Sequence, residues 1–143
     1  MEWKPPKNGK IQFTNFDDPE DPAFPEGFIR HLVDKYNVVI LSYDPYQLEH
    51  FTSRLMAENV VWCKPFNQGP SRAVADKKLY DIIRNREIIH DGNQALTTHI
   101  LNADSTAEDS EKMRLVKRNE SSKIDLAVAL SMAASTAFEY LSP

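Results

Sequence analysis

The sequence predicts an α/β fold, a sheet of short strands flanked by helices, and three observations lead there. Val38-Val39-Ile40-Leu41 is a continuous apolar run rich in β-branched residues, the pattern of a strand covered on both faces, and Val60-Val61-Trp62-Cys63 is a second apolar run. Phe28, Ile29, Leu32 and Val33 precede the first run at helical spacing, and Leu48, Phe51, Leu55 and Met56 separate the two at the same spacing. The resulting order, helix, strand, helix, strand, is that of parallel strands joined by crossovers.

From the N-terminus, residues 1–24 read as a loose lead-in. Pro5, Pro6 and Gly9 break any regular structure, and the alternation of Ile11 and Phe13 predicts one short strand. Asp17-Asp18-Pro19-Glu20-Asp21-Pro22 is acidic and proline-broken, an exposed loop whose acids are better read as solvated than as metal ligands. Pro25-Glu26 suits a first helical turn, and that helix should end by Tyr36-Asn37. After the first strand, Asp44-Pro45 punctuates the chain before a helix over 46–59. A third helix begins at Pro70-Ser71, with Ala73, Val74, Leu79, Ile82 and Ile83 on one side. Asp91-Gly92-Asn93 marks a turn before further extended or helical chain, and Ser105 to Ser110 is small and acidic. The last helix, 124–141, carries a stripe of Ile124, Ala127, Val128, Ser131, Ala134, Phe138 and Leu141.

With 143 residues, 41% of them hydrophobic and 27% charged, the chain is long enough for one ordinary domain with a core. A single cysteine, Cys63, excludes an internal disulfide framework and a multi-cysteine zinc cluster, and fits a reducing cytosolic setting. No stretch approaches the roughly 18 apolar residues of a membrane span, so a soluble cytoplasmic protein without membrane partners is expected. The net charge of −4 means that any contact with nucleic acid must be local. Lys112, Arg114, Lys117, Arg118 and Lys123 supply such a run, which meets phosphates or else forms a solvated loop or strand face.

Two carboxylates stand where chemistry is expected. Asp44 follows the first strand at its C-terminal end, the edge at which open α/β sheets hold ligands. Asp125 opens the last helix, where free backbone N–H groups favour an acid. Each has a plainer reading, Asp44 as the cap of a turn and Asp125 as the cap of a helix. If they converge, they form the sparse carboxylate site that magnesium prefers. His31, His50 and His99 have no partner identifiable from spacing and are expected to be solvated or half-buried.

Val39-Ile40-Leu41-Ser42-Tyr43-Asp44-Pro45-Tyr46-Gln47 resembles the strand and Tyr-Asp-Pro turn of the nuclease domains of viral terminase large subunits. Phe66-Asn67-Gln68-Gly69 is similar to that family's Phe-x-Gln segment, and His90-Asp91-Gly92-Asn93, after the helix it follows, to a His-x-Gly-Asn stretch. Lys123-Ile124-Asp125 and the alanine-rich helix behind it look like the terminal Lys-Ile-Asp motif. Each motif is weak alone; their collinear order, with a family-like spacing of Asp44 and Asp125, carries the resemblance across most of the chain.

The resemblance implies a ribonuclease-H-like fold, a mixed sheet flanked by helices, over residues 25–143. It implies Asp44 and Asp125 as ligands of two catalytic ions, Mg2+ or Mn2+, that serve DNA cleavage. Lys117, Arg118 and Lys123 would touch the nucleic acid, while Gln68 and His90 are read as structural. Double-stranded DNA, other terminase or portal subunits and a second copy of the chain are the expected partners, in the cytoplasm of a host cell. The family also carries an aspartate on an earlier strand and an ATPase domain. The chain matches neither and has no Gly-x-x-x-x-Gly-Lys-Ser/Thr loop. It is therefore expected to lack the first strand or strands, as the C-terminal piece of a family protein, a split gene product or a prophage remnant, with impaired cleavage. The rival expectation is a non-catalytic assembly or interaction module of the same fold, its open sheet edges turned to association.

Overall fold

The computed structural model describes the backbone of residues 1–143 and every side chain except that of Gln47, so this one position of the Tyr-Asp-Pro segment lies outside the described side chains. The chain divides into two compact units, Met1–Pro65 and Phe66–Pro143. Among the described residues no helix is long and apolar enough to cross a membrane.

The first unit contains α1 (Pro25–Lys35), β1 (Ile40–Tyr43), α2 (Pro45–Ala57) and β2 (Trp62–Pro65). Proline occupies the first turn of both helices, where its missing N–H costs no hydrogen bond. The strands pair in parallel with Ile40 opposite Trp62 and Tyr43 opposite Pro65, the arrangement expected from the helix–strand alternation. Both begin two residues later than the apolar runs suggest. Val38 donates its N–H to the Tyr36 carbonyl (2.9 Å) as the chain leaves α1. Val60 donates to the Leu55 carbonyl (2.8 Å) in a capping turn that closes α2, with Asn59 left-handed at φ 55°. The first two residues of each run are thus used in leaving the preceding helix.

Leu41, Tyr43 and Cys63 point from one face of this sheet into a core with Phe51, Leu55 and Val61. Ile40 and Trp62 share the other face, where Trp62 is exposed. The short strand expected at Ile11 and Phe13 does not form. Phe13 packs on this core and stacks on Phe51 (5.7 Å between ring centroids), and its carbonyl accepts the Glu26 N–H (3.0 Å), so it is held by a helix start rather than by a ladder. Gly27 lets the backbone of the preceding acidic turn lie against the start of α1, because a Cβ there would lie 2.1 Å from the Asp21 carbonyl oxygen.

A buried ionic cluster holds the lead-in to both helices. The fully buried Glu26 accepts from Thr14 Oγ1 (2.5 Å), from Arg30 Nη2 (2.9 Å) and from Arg54, while Arg30 also pairs with Glu58 (2.7 Å). Burial by itself raises the Glu26 pKa, but the hydrogen bonds from Arg54, Thr14 and Arg30 and the charge of Arg54 outweigh it and hold the carboxyl below its ordinary value.

The second unit contains α3 (Pro70–Arg84), α4 (Gln94–Leu101), β3 (Ala103–Ala107), β4 (Met113–Lys117) and α5 (Asp125–Leu141). α3 packs against α5 and β4, and Ala73, Ala75, Leu79, Ile82, Ala127 and Met132 are buried. The small residues on α3 and α5 permit close approach of their backbones. β3 and β4 form an antiparallel hairpin from Ala103 opposite Lys117 to Ala107 opposite Met113, closed by bonds from the N–H groups of Glu108 and Asp109 to the Lys112 carbonyl. Parallel and antiparallel pairing are both present, as two two-stranded sheets.

Candidate metal-ligand and nucleic-acid-binding residues

Asp44 stands in the first unit, immediately after β1. It is the N-cap of α2: Pro45 fixes the first helical φ, and Asp44 Oδ1 accepts the Tyr46 N–H at 3.0 Å. Its Oδ2 makes no hydrogen bond to a described residue, and the side chain is partly exposed. Capping and metal binding therefore do not compete. One oxygen fixes the carboxylate to the strand–helix junction and the other remains for a ligand.

Asp125 stands in the second unit as the first residue of α5, with an exposed side chain. It is not the N-cap, which is Ile124 and supplies no side-chain hydrogen bond. His99, buried at the end of α4, supplies it instead: its Nδ1 accepts the Leu126 N–H at 2.9 Å, which requires that nitrogen to be unprotonated. The expectation of a solvated or half-buried His99 is corrected here. Nothing local in the sequence links it to a backbone N–H 27 residues away.

Lys117, Arg118 and Lys123 come together at one corner of the second unit. Asn102 joins them, accepting the Arg118 N–H at its carbonyl (3.0 Å) and donating from Nδ2 to the Lys123 carbonyl (3.1 Å). Arg118 reaches the Ala103 carbonyl through Nη2 (3.3 Å). Lys117 and Lys123 are exposed and form no ion pair with a described residue. Since Lys123 precedes Ile124 and Asp125, this cationic corner adjoins the start of α5. The rest of the basic run is used otherwise. Arg114 faces Glu108 (3.8 Å) and donates to the Gly69 carbonyl (3.3 Å), and the Lys112 carbonyl closes the hairpin turn.

Gln68 and His90 have structural partners. Gln68 accepts from Arg72 Nη1 (3.1 Å) and its amide lies 3.5 Å from the Met132 sulfur, whereas His90 Nδ1 accepts the Gly92 N–H (3.0 Å) in a turn where Gly92 is left-handed. Asp17, Asp18 and Glu20 are exposed in their turn.

Asp76 was not singled out by its sequence context, yet it is the most fully engaged acid of the second unit. Completely buried on α3, it accepts from Ser131 Oγ on α5 (2.5 Å), from the Leu115 N–H on β4 (2.9 Å) and from Arg72 Nε (3.1 Å). The arrangement ties to α3 the strand that ends in Lys117 and the helix that begins with Asp125. The only sequence signal is an acid on the apolar side of α3 four residues from Arg72, a spacing that surface ion pairs share.

Asp44 and Asp125 offer hard oxygen donors, the type Mg2+ and Mn2+ take, and Cys63 is no soft alternative because burial pushes its thiol pKa up. No group of three His, Cys, Asp or Glu side chains converges among the described residues. In donor chemistry the two aspartates fit a hard divalent ion.

A family model described as the terminase large subunit, endonuclease domain, matches residues 20–140. Among solved structures, the large terminase of bacteriophage HK97 superposes with a TM-score of 0.65 at 20% sequence identity, over 77% of this chain and 23% of the phage chain. No curated protein sequence matches. The structural likeness shows the ribonuclease-H-like α/β fold expected from the motifs.

Proposed function

The chain belongs to the terminase large-subunit endonuclease domain family, and from that premise we propose that it serves metal-dependent hydrolysis of DNA phosphodiesters with Asp44 and Asp125 as metal ligands. The observation that carries the reading is Asp44: a carboxylate at the C-terminal end of a parallel strand, held through Oδ1 by the helix it caps and with Oδ2 open. Divalent ions bound there, Mg2+ or Mn2+, supply activation of water and stabilisation of the leaving oxygen. The chain's own part is positional. Pro45 and the Tyr46 N–H limit the rotation of Asp44, the His99 bond secures the first turn behind Asp125, and Lys117, Arg118 and Lys123 take backbone phosphates of double-stranded DNA.

With two acids offered and no group of three such side chains converging among the described residues, the chain by itself is expected to hold a pair of close cations poorly. Its cleavage is expected to be slow in Mg2+ and detectable in excess Mn2+. A plasmid-nicking assay with Mn2+, beside calorimetric titration of the ion, tests this. Residual nicking and ion uptake should both disappear in Asp44→Ala and in Asp125→Ala; nicking that survives in both variants removes these aspartates from the site. Partners in DNA packaging, such as terminase or portal subunits, belong to the same proposal.

A second reading, a non-catalytic assembly module, is favoured by one observation in the second unit. Ile83, Ile88, Ile89, Leu96, Ile100 and Leu130 line an apolar groove of about 500 Å³, with Ile89 98% exposed. Metal-indifferent oligomers in sedimentation, dispersed by Ile89→Lys, would favour that reading over the nuclease.

A further inference from the structure

Tyr46 is 86% exposed, and it stands two residues from Asp44 in the first turn of α2. The backbone of Tyr46 is fixed there, because its own N–H is the group Asp44 Oδ1 accepts at 3.0 Å. The capping bond thus holds the carboxylate against the same stretch of backbone from which the ring projects. Among the described residues the ring is not part of the core of the first unit, which is filled by Tyr43, Phe51 and Leu55. His50, one helical turn further along the same face, is exposed as well.

We propose that Tyr46 is a substrate-contacting residue that stacks on an unpaired nucleobase beside the phosphate at Asp44. The proposal rests on the reading of Asp44 as a metal ligand. An aromatic face offers a base a sequence-tolerant platform, since every base presents a π-face, and a ring two residues from the ligating carboxylate is within reach of a base that adjoins the bound phosphodiester. Bases inside an intact duplex are already stacked on their neighbours. The platform therefore selects DNA whose bases are frayed or single-stranded at the cut, and it contributes nothing to contact with a continuous helix.

The test is fluorescence anisotropy of the full chain with a single-stranded oligonucleotide and with a blunt duplex of the same sequence, in Ca2+ to hold cleavage back. Tyr46→Ala should weaken single-strand binding about ten-fold, in line with the worth of one base stack, and leave duplex binding and the thermal midpoint unchanged. Tyr46→Trp and Tyr46→Phe should restore the affinity, because the ring and not the hydroxyl is at work. Equal single-strand affinity in Tyr46→Ala and the unaltered chain overturns this inference and leaves the nuclease reading standing. An unaltered chain that binds neither DNA, or whose Mn2+ uptake is indifferent to Asp44→Ala, overturns both.

Discussion

At the scale of single residues, the acids of this chain differ less in type than in what surrounds them. Asp44 divides its two oxygens between a cap and an open position, Asp125 is exposed at a helix start, and Asp76 has both oxygens satisfied in the interior. Removing Asp76 leaves Ser131, Arg72 and the Leu115 N–H without their buried acceptor, a loss of about 3–5 kcal/mol by the usual cost of breaking a buried charged network. Urea denaturation of Asp76→Ala should show a midpoint lowered accordingly, with Asp76→Asn in between, since an amide keeps one acceptor oxygen. A variant as stable as the parent would mean that the three donors find water or other partners. Asp44→Ala loses only an exposed cap, about 1 kcal/mol, so its effect on metal binding can be read without unfolding.

At the scale of elements, the lead-in, α1 and α2 depend on the Glu26 cluster more than on any strand. The Glu26 pKa is depressed below its ordinary 4.5, so its contribution is fully present above that value and is lost as pH falls through the lower, folded value. Acid titration followed by the exposure of Trp3, whose indole donates to the Ala23 carbonyl (2.7 Å) and whose ring meets Phe28 edge-on, should show release of the lead-in below pH 4.5. Glu26→Gln should flatten that acid transition and lower stability at neutral pH. If the transition is the same in both proteins, the cluster is not what holds the segment. The helix ends follow a shared logic: α2 and α3 close with left-handed Asn59 and Arg86, where the side chain is tolerated because the capping bonds from Val60 and Glu87 satisfy the last carbonyls.

At the scale of the whole molecule, the net charge of −4 means that the proposed DNA contact has to run through a confined cationic surface. Asn102 provides one by joining the end of β4 to the approach of α5. Replacing Lys117, Arg118 and Lys123 together by Gln should weaken duplex binding at low salt and reduce the slope of log affinity against log salt by about 2–3, the release expected for three phosphate contacts. An unchanged slope would place the phosphates elsewhere.

Helices α1, α2, α3 and α5, the parallel strand pair and the terminase-like motifs were legible in the amino-acid order, because apolar periodicity, proline punctuation and short motifs are local properties, whereas α4 was left open between extended and helical chain and the β3–β4 hairpin was not foreseen. The family assignment followed from the same local signals, read collinearly. Strand starts were displaced by two residues where Val38 and Val60 serve the helix exits, a competition between two uses of one apolar run. What only the tertiary structure decided is which buried polar groups meet. Asp76 finds Ser131 across 55 residues, Leu126 finds His99 across 27, and Asn102 gathers the basic corner, through bonds whose partners no local pattern specifies. A buried polar atom must be paired, but its partner is chosen by how the elements pack.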